Sequence, residues 1–421
     1  MRSYILIFII ILTTTLVTDL TSQDLYNARS LGMAGSNYAI AEGNEYIGGN
    51  PALLAPKRSF DFEILVAGAH AMVKNNSFSY TEYEKYFTTG DSLTQNDIDD
   101  LFGNVPDDGW TGDFTLGARA LSIYARPFSL SIGGLGNGFM DVPKNALQIP
   151  FYGNSDLREY NIEELDGEAW GGASIDFGIG FPLTDYVPAE FDYFSVGINA
   201  KYLVGLEYAN IQYSEGKLIT NEEFLLLDAR IETRRSDGGN GFGFDIGAFG
   251  VYEQKWILSF HITNILGDLY WNNTNTLEVL MYESDSLFRF EEIGNFSEAK
   301  MDTSYEIGNF KTPLPRSASF SAAYYIQPNL VLTGTFRQGF NRVLGNTTTP
   351  RIAVGTEYKP IPVIPLRAGI ALGGDSGFAL GLGFGIDVKY WQLNIGYLNH
   401  NFRWFNGARS VDLALSTQFR F

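Results

Sequence analysis

Along much of the chain, apolar residues alternate one by one with polar or small ones, in runs of about ten residues. The last run puts Val411, Leu413, Leu415, Thr417, Phe419 and Phe421 on one face and Asp412, Ala414, Ser416, Gln418 and Arg420 on the other. Upstream, Ile352, Val354, Thr356 and Tyr358 oppose Arg351, Ala353, Gly355, Glu357 and Lys359. Between them, Phe378, Leu380, Leu382, Phe384 and Ile386 oppose Ala379, Gly381, Gly383, Gly385 and Asp387. A period of two marks a strand with one apolar face. A soluble sandwich would show the same alternation. Three features favour a membrane barrel over a sandwich. The run length suits a tilted strand crossing a bilayer core. Aromatics stand at run ends (Tyr358, Tyr390, Trp391, Tyr397 and Phe421), as interfacial girdles require. The connections alternate between very short and very long.

Counting back from the C-terminus, the strand segments are 409–421, 389–398, 377–386, 365–373, 350–359, 330–340, 316–326 and 256–265. A long pair follows, 192–219 with 224–252, broken near Asp237-Gly238-Gly239, and then 170–181, 128–139, 113–126 and 60–72. The expected fold class is all-β: a transmembrane antiparallel β-barrel of about 14 strands. An even count places both termini in the periplasm. Short turns, such as Arg126-Pro127 and Glu253-Gln254-Lys255, then fall on the periplasmic side, and the acid-rich stretches 73–112, 140–169 and 266–315 become extracellular loops. Phe419 and Phe421 provide the aromatic C-terminal signal for insertion. Within 73–112, Ser92-Leu93-Thr94-Gln95 reads as a helix start, and Asp97, Asp99 and Asp100 as its solvated acidic face rather than a calcium loop.

Composition sharpens the class. The 421 residues carry a net charge of −19 and no cysteine. Nucleic-acid binding, which needs clustered Lys and Arg, is disfavoured, and disulfides and thiolate chemistry are excluded. Aromatic content of 15% with 46 glycines fits β-structure with tight turns. Residues 1–23, with Arg2 followed by the apolar run Tyr4 to Leu12, have the form of a secretory signal peptide. A single-pass anchor is the alternative, against which Asp19 interrupts the run. The expected domains are therefore 1–23 signal peptide, 24–59 N-terminal plug and 60–421 barrel.

Residues 28–56, ARSLGMAGSNYAIAEGNEYIGGNPALLAP, are too Gly-rich for an amphipathic helix and too apolar for a solvated tail. They read as irregular backbone folded closely inside something. The segment resembles the N-terminal hatch of the FadL-like outer-membrane transporters, in which a "GMAGA" stretch leads to "NPA" before the first strand. PorV-like barrels of type IX secretion share that opening. Gly239 to Gly250, GNGFGFDIGAFG, is similar to a Gly-rich strand of both families. The resemblance implies a hatch formed by Gly32, Gly35, Asn50, Pro51 and Ala52. It also implies a lateral opening at the third strand, where Gly133, Gly134, Gly136 and Gly138 fall; alternatively, these glycines let the hatch pack against the wall. The implied function is passive uptake of small hydrophobic compounds. The alternative is a PorV-like role with a protein partner in secretion or surface attachment. Acids such as Glu291, Glu292 and Glu298 argue against an anionic fatty acid as cargo. The implied partners are outer-membrane lipids and lipopolysaccharide, the barrel-insertion machinery, and a small hydrophobic ligand or secretion protein.

No catalytic set is evident. His70, His261 and His400 are far apart in sequence, with no HExxH, GxSxG or phosphate loop. The chain is expected to be neither an enzyme nor a holder of cofactor or metal. Arg337, Arg351, Glu357, Lys359, Arg367, Asp387 and Lys389 fall on the polar faces of their strands. They are expected to line a wet lumen, as an ion-pair network or as selectivity charges.

Overall fold

The computed structural model describes residues 27–88, 93–152, 158–220, 224–282, 288–289, 300–375, 377–400 and 407–421. The signal-peptide expectation lies outside the described residues, as do Ser92, Glu291, Glu292 and Glu298. In chain order the strands are β1 (Phe62–Asn75), β2 (Trp110–Ala125), β3 (Phe128–Val142), β4 (Arg158–Asn161), β5 (Asp166–Pro182) and β6 (Phe191–Thr220). Next come β7 (Phe224–Tyr252), β8 (Trp256–Tyr282), β9 (Phe288–Arg289), β10 (Lys300–Glu306), β11 (Phe310–Pro313) and β12 (Ser317–Gln327). The last six are β13 (Leu330–Gly339), β14 (Arg351–Ile361), β15 (Ile364–Gly373), β16 (Ala379–Val388), β17 (Trp391–His400) and β18 (Ser410–Arg420).

Fourteen of these strands form a closed antiparallel barrel; β4, β9, β10 and β11 are short additions. Closure is made by β1, which pairs with β2 on one edge and with β18 on the other, from Glu63 opposite Arg420 to Lys74 opposite Ser410. Among the described residues no barrel edge is left unpaired, so the wall's backbone groups bond to each other. That is the only way a sheet can tolerate hydrocarbon.

Burial inverts the pattern of a soluble protein. On β18, Val411, Leu413, Leu415 and Phe419 are exposed while Asp412, Ser416, Gln418 and Arg420 are buried. The same holds on β14, where Ile352, Val354 and Tyr358 are exposed and Glu357 is buried. The exposed set is the lipid face and the buried set lines the lumen. Among the described residues no helix is long and apolar enough to cross a membrane.

The two barrel ends differ. At the end that carries Asp61 and Phe421 the connections are tight, as at Arg126-Pro127 and Glu253 to Lys255. Phe421 stacks there on Tyr390, their ring centroids 6.4 Å apart. At the opposite end β6, β7 and β8 run 30, 29 and 27 residues, against 10 or 11 for β12 to β18. At about 3.3 Å per residue, β6 spans roughly 100 Å where β18 spans roughly 35 Å. These strands project far beyond the wall. Segment 266–315 is therefore not the plain loop expected: β8 runs on to Tyr282, and β10 and β11 fold back to pair with it. Alternating apolar residues in Leu277, Val279 and Met281 carry that extension. The break expected near Asp237 is a register shift between Gly238 and Gly239 within a continuous β7.

In the connection between β1 and β2, a helix runs from Gln95 to Gly103. Its cap is Thr94, which forms a capping box with Asp97, two residues later than the start read from Ser92. Hydrogen bonds from Thr94 hold the Asp97 carboxyl below its usual pKa.

Candidate functional site

The interior begins with the segment between Asn27 and Phe60, almost entirely buried. It is a chain of short turns, each stopped by its own sequence. Asn27 accepts from Ser30 N–H to start a single helical turn, Ala28–Gly32, and Ala34 and Gly35 at positive φ reverse the chain. Glu42 and Glu45 form a capping box around Gly43–Tyr46. Asn50 caps Pro51–Leu54, accepting from Ala52 N–H at 2.9 Å. Its side-chain amide donates to Ala248 O at 2.7 Å and Ser259 Oγ at 2.9 Å, fixing the turn to β7 and β8.

This one segment meets every wall strand. Asn44 N–H donates to Glu63 on β1 at 2.7 Å, and its side-chain Oδ1 accepts from Ser122 Oγ on β2 at 2.8 Å. Tyr46 bonds Ser129 on β3 and lies against Gly178 on β5. Ser195 on β6 donates to Ala52 O at 2.9 Å. Tyr38 packs edge-on to His261 on β8, and Met33 lies in a cluster with Ala323 on β12. Ser36 bonds Thr333 on β13 at 2.7 Å. Met33 also abuts Gly355 on β14 and Gly369 on β15; Gly32 lies on Gly381 and Gly383 of β16, Ala28 on Gly396 of β17, and Leu31 joins Ala414 of β18 in one cluster. Only a segment inside a closed cylinder can touch all of its staves.

The wall glycines are the footprint of this contact. A Cβ at Gly197, Gly247, Gly369 or Gly396 would collide with the segment's backbone or side chains. A Cβ on Gly32 itself would sit 2.7 Å from Gly383 Cα. Charge locks the same surface. Arg29 donates from Nε and Nη2 to the two oxygens of Glu357, at 2.8 and 2.9 Å, and from Nη1 to Glu45 at 2.9 Å. Glu357 also accepts from Arg367 Nε at 2.6 Å. Burial opposes charge on Arg29, but Glu357 and Glu45 outweigh it and hold its pKa well above the ordinary arginine value. Burial pushes the Tyr46 phenol above its usual value as well.

Above the segment the lumen is belted with polar residues. His70 Nε2 lies 2.6 Å from Asp412 Oδ1, and His400 Nε2 lies 3.9 Å from Asp412 Oδ2. Lys74 pairs with Asp113 at 2.6 Å, and Lys201 with Asp245 at 2.7 Å. The histidines that look scattered in sequence thus include two that share one aspartate. Closure of β1 onto β18 brings them together, a consequence of the strand count that pairwise sequence spacing hides.

Higher still, toward the long-strand end, the lumen turns apolar. Trp170, Leu203, Tyr208, Leu269, Trp271 and Leu314 form one buried cluster, with Leu135 and Phe310 packed against it. Tyr208 stands 5.0 Å from Trp271 and 5.5 Å from Phe310, centroid to centroid. The connection between β13 and β14 dips into this cluster and seats Leu344 in it, 1% exposed.

Of the other expected residues, Arg337 is buried on the inner face, directly opposite Arg351, which donates to Ala34 O at 3.3 Å. Asp387 accepts from Lys359 at 3.2 Å, near the tight-turn end. Gly133, Gly134, Gly136 and Gly138 lie in a continuous strand, and Gly134 and Gly136 differ from the wall-packing reading. Through all four glycines β3 stays paired with β2 and with β5, so no opening exists there in this structure; the nearest irregularity is the register shift at Arg119/Leu121 of β2. Nor do Gly134 and Gly136 touch the N-terminal segment. They face outward, where with Ala69, Ala71 and Ala118 they floor a shallow apolar hollow rimmed by Leu116, Leu413 and Leu415.

Comparison with known proteins agrees with this architecture. A model for a family of unknown function, DUF5723, matches residues 51–236 and 225–397. No curated protein matches. The P. putida toluene transporter TodX superposes with a TM-score of 0.57 at 11% identity, covering 95% of this chain and 99% of its own. The Ralstonia pickettii toluene transporter TbuX gives 0.55 at 11%, over 96% and 100%. A Pseudomonas aeruginosa FadL homologue gives 0.51 at 13%, over 96% and 100%. The barrel is FadL-like in fold.

Proposed function

The chain belongs to DUF5723, a family of unknown function, and from that premise we propose that it is a passive outer-membrane channel for small, uncharged hydrophobic compounds. The observation that carries this is the aromatic cluster of Trp170, Tyr208, Trp271 and Phe310 inside a lumen otherwise lined with Asp, Lys, His, Ser and Asn. On such a surface an apolar solute gains roughly 25 cal/mol per Å² it buries. The likeness in fold to toluene transporters supports the same cargo class.

Residues 24–59 act as the hatch, with Gly32, Gly35, Asn50, Pro51 and Ala52 as its turns and wall contacts. The tight-turn end and both termini are periplasmic, and the projecting strands extracellular. Cargo enters from outside, rests in the aromatic cluster and passes the hatch. Sideways release into the bilayer calls for β3, paired on both edges in this structure, to part from a neighbour near the outer hollow floored by Gly134 and Gly136. No step uses a cofactor or a catalytic residue. The projecting sheet of β6, β7, β8 and β10 favours a second reading, a docking surface for a secretion partner, with exposed Tyr213 and Tyr305 as anchors.

The test is uptake of radiolabelled toluene by intact cells carrying the chain in an asymmetric outer membrane. We expect faster uptake than in cells without it, and no change for arabinose. Equal toluene rates would overturn the channel reading and leave the docking one.

A further inference from the structure

The tip of the connection between β13 and β14 is a tight turn in which Asn346 N–H donates to Val343 O at 2.9 Å. Its two central residues, Leu344 and Gly345, have φ of 48° and 78°. Turns with both central φ positive select Asn, Asp and Gly, and a leucine there costs on the order of 1–2 kcal/mol. Leu344 is therefore a poor turn residue, retained for its side chain. That side chain fills the aromatic cluster, and its backbone is held by polar groups of the wall. Leu344 N–H donates to Glu168 Oε2 at 2.9 Å, and Leu344 O accepts from Asn137 Nδ2 at 3.1 Å.

A second observation concerns the two tryptophans of the cluster. The indole N–H of Trp271 donates to Thr312 at 3.0 Å. The indole N–H of Trp170, itself 6% exposed, has no hydrogen-bond partner among the described residues. An orphaned buried donor costs about 1–3 kcal/mol and calls for an explanation. It lies on the inner face of β5 two residues from Glu168, whose Oε1 accepts from Tyr208 at 2.9 Å and whose Oε2 accepts from the turn.

We infer that Leu344 is a built-in stand-in for a ligand, and that the site it fills takes a phenol: an uncharged single aromatic ring bearing one hydroxyl. Val343 and Leu344 together carry about as many side-chain carbons as one substituted benzene ring. When the turn withdraws, the ring takes their place between Trp170, Tyr208 and Trp271. The hydroxyl donates to the vacated Glu168 Oε2 and accepts from Trp170 Nε1, satisfying the orphan. The base of the turn is tied by the Asn346 side-chain amide, which donates to Arg316 O and Asn341 O at 2.9 and 2.8 Å, so the tip withdraws as a folded unit. This site deepens the channel reading and rests on it.

The experiment is calorimetric titration of the full chain in nanodiscs with p-cresol and, separately, toluene. Wild type is compared with Leu344→Gly, which suits the turn better and removes the larger of the two side chains that fill the cluster. Partition of either probe into lipid is common to all variants and cancels. We expect Leu344→Gly to bind p-cresol roughly tenfold tighter than wild type, because the leucine side chain no longer has to be displaced along with the turn. We also expect it to prefer p-cresol over toluene several-fold, and adding Trp170→Phe to abolish most of that preference. Binding by Leu344→Gly no tighter than wild type, or a preference for toluene, overturns the site. Toluene uptake by cells alongside that failure would leave the channel standing, whereas gained p-cresol binding without uptake supports the site and removes the channel.

Discussion

The lumen is stopped twice, by different physics at its two ends. At the tight-turn end the N-terminal segment touches all fourteen staves. It is tied by charge, by caps, and by glycines that admit its backbone. At the long-strand end a single turn closes the aromatic cluster with one leucine side chain and two backbone hydrogen bonds. The first closure is spread over the whole wall, so no single contact releases it. The second is concentrated in one strained residue, so one competing ligand suffices. The proposed channel thus has a fixed stopper and a removable one.

Removing the fixed stopper should have the largest effect. Deleting 28–56 should leave an inserted barrel that leaks: we expect large, steady conductance in planar bilayers and loss of dye exclusion in liposomes. Unchanged dye exclusion would count against the segment as a plug. Next in size is Glu357→Gln, which leaves Arg29 and Arg367 facing one another without their shared carboxylate. Breaking a buried pair this way costs about 3–5 kcal/mol, and the melting temperature followed by circular dichroism should fall accordingly. Gly369→Val tests the footprint itself, since its side chain would collide with Met33. We expect intermittent channel openings at near-normal barrel stability; silence would mean that the segment yields without leaving. Smallest is Thr94→Ala. It removes a helix cap worth about 1 kcal/mol, which hydrogen exchange over Gln95–Gly103 should detect with no change in conductance. That cap should also weaken in acid. With the Asp97 pKa depressed, its contribution is complete above the ordinary carboxylate pKa and is lost as pH falls through the lowered value.

Much of the wall was legible in sequence because a barrel's inside and outside alternate residue by residue. The faces read from Val411 to Phe421 and from Ile352 to Tyr358 are the exposed faces, and all fourteen segments correspond to strands. What escaped is what alternation does not encode. Pairing His70 and His400 with Asp412 required knowing which strand closes on which. The extension of β8 to Tyr282 was hidden by Asn272 to Asn275, polar residues that read as loop in a stretch projecting beyond the wall. The inner glycines of β14 to β17 were visible as small-faced positions, but only the folded segment explains why they are small. Leu344 had one legible sign, an apolar residue before glycine in a short polar connection, and nothing local says where its side chain goes.

The distinction between the two stoppers can be measured with thiols, because the chain has no cysteine of its own. Ser36→Cys reports the N-terminal segment, and Val343→Cys reports the turn while leaving Leu344 in place. The decisive quantity is the rate at which a water-soluble thiol reagent modifies each in nanodiscs, with and without p-cresol. We expect Ser36→Cys to stay protected in both conditions and Val343→Cys to react several-fold faster when p-cresol is present. Equal rates at the two positions, or a Val343→Cys rate indifferent to p-cresol, would contradict a fixed stopper paired with a removable one.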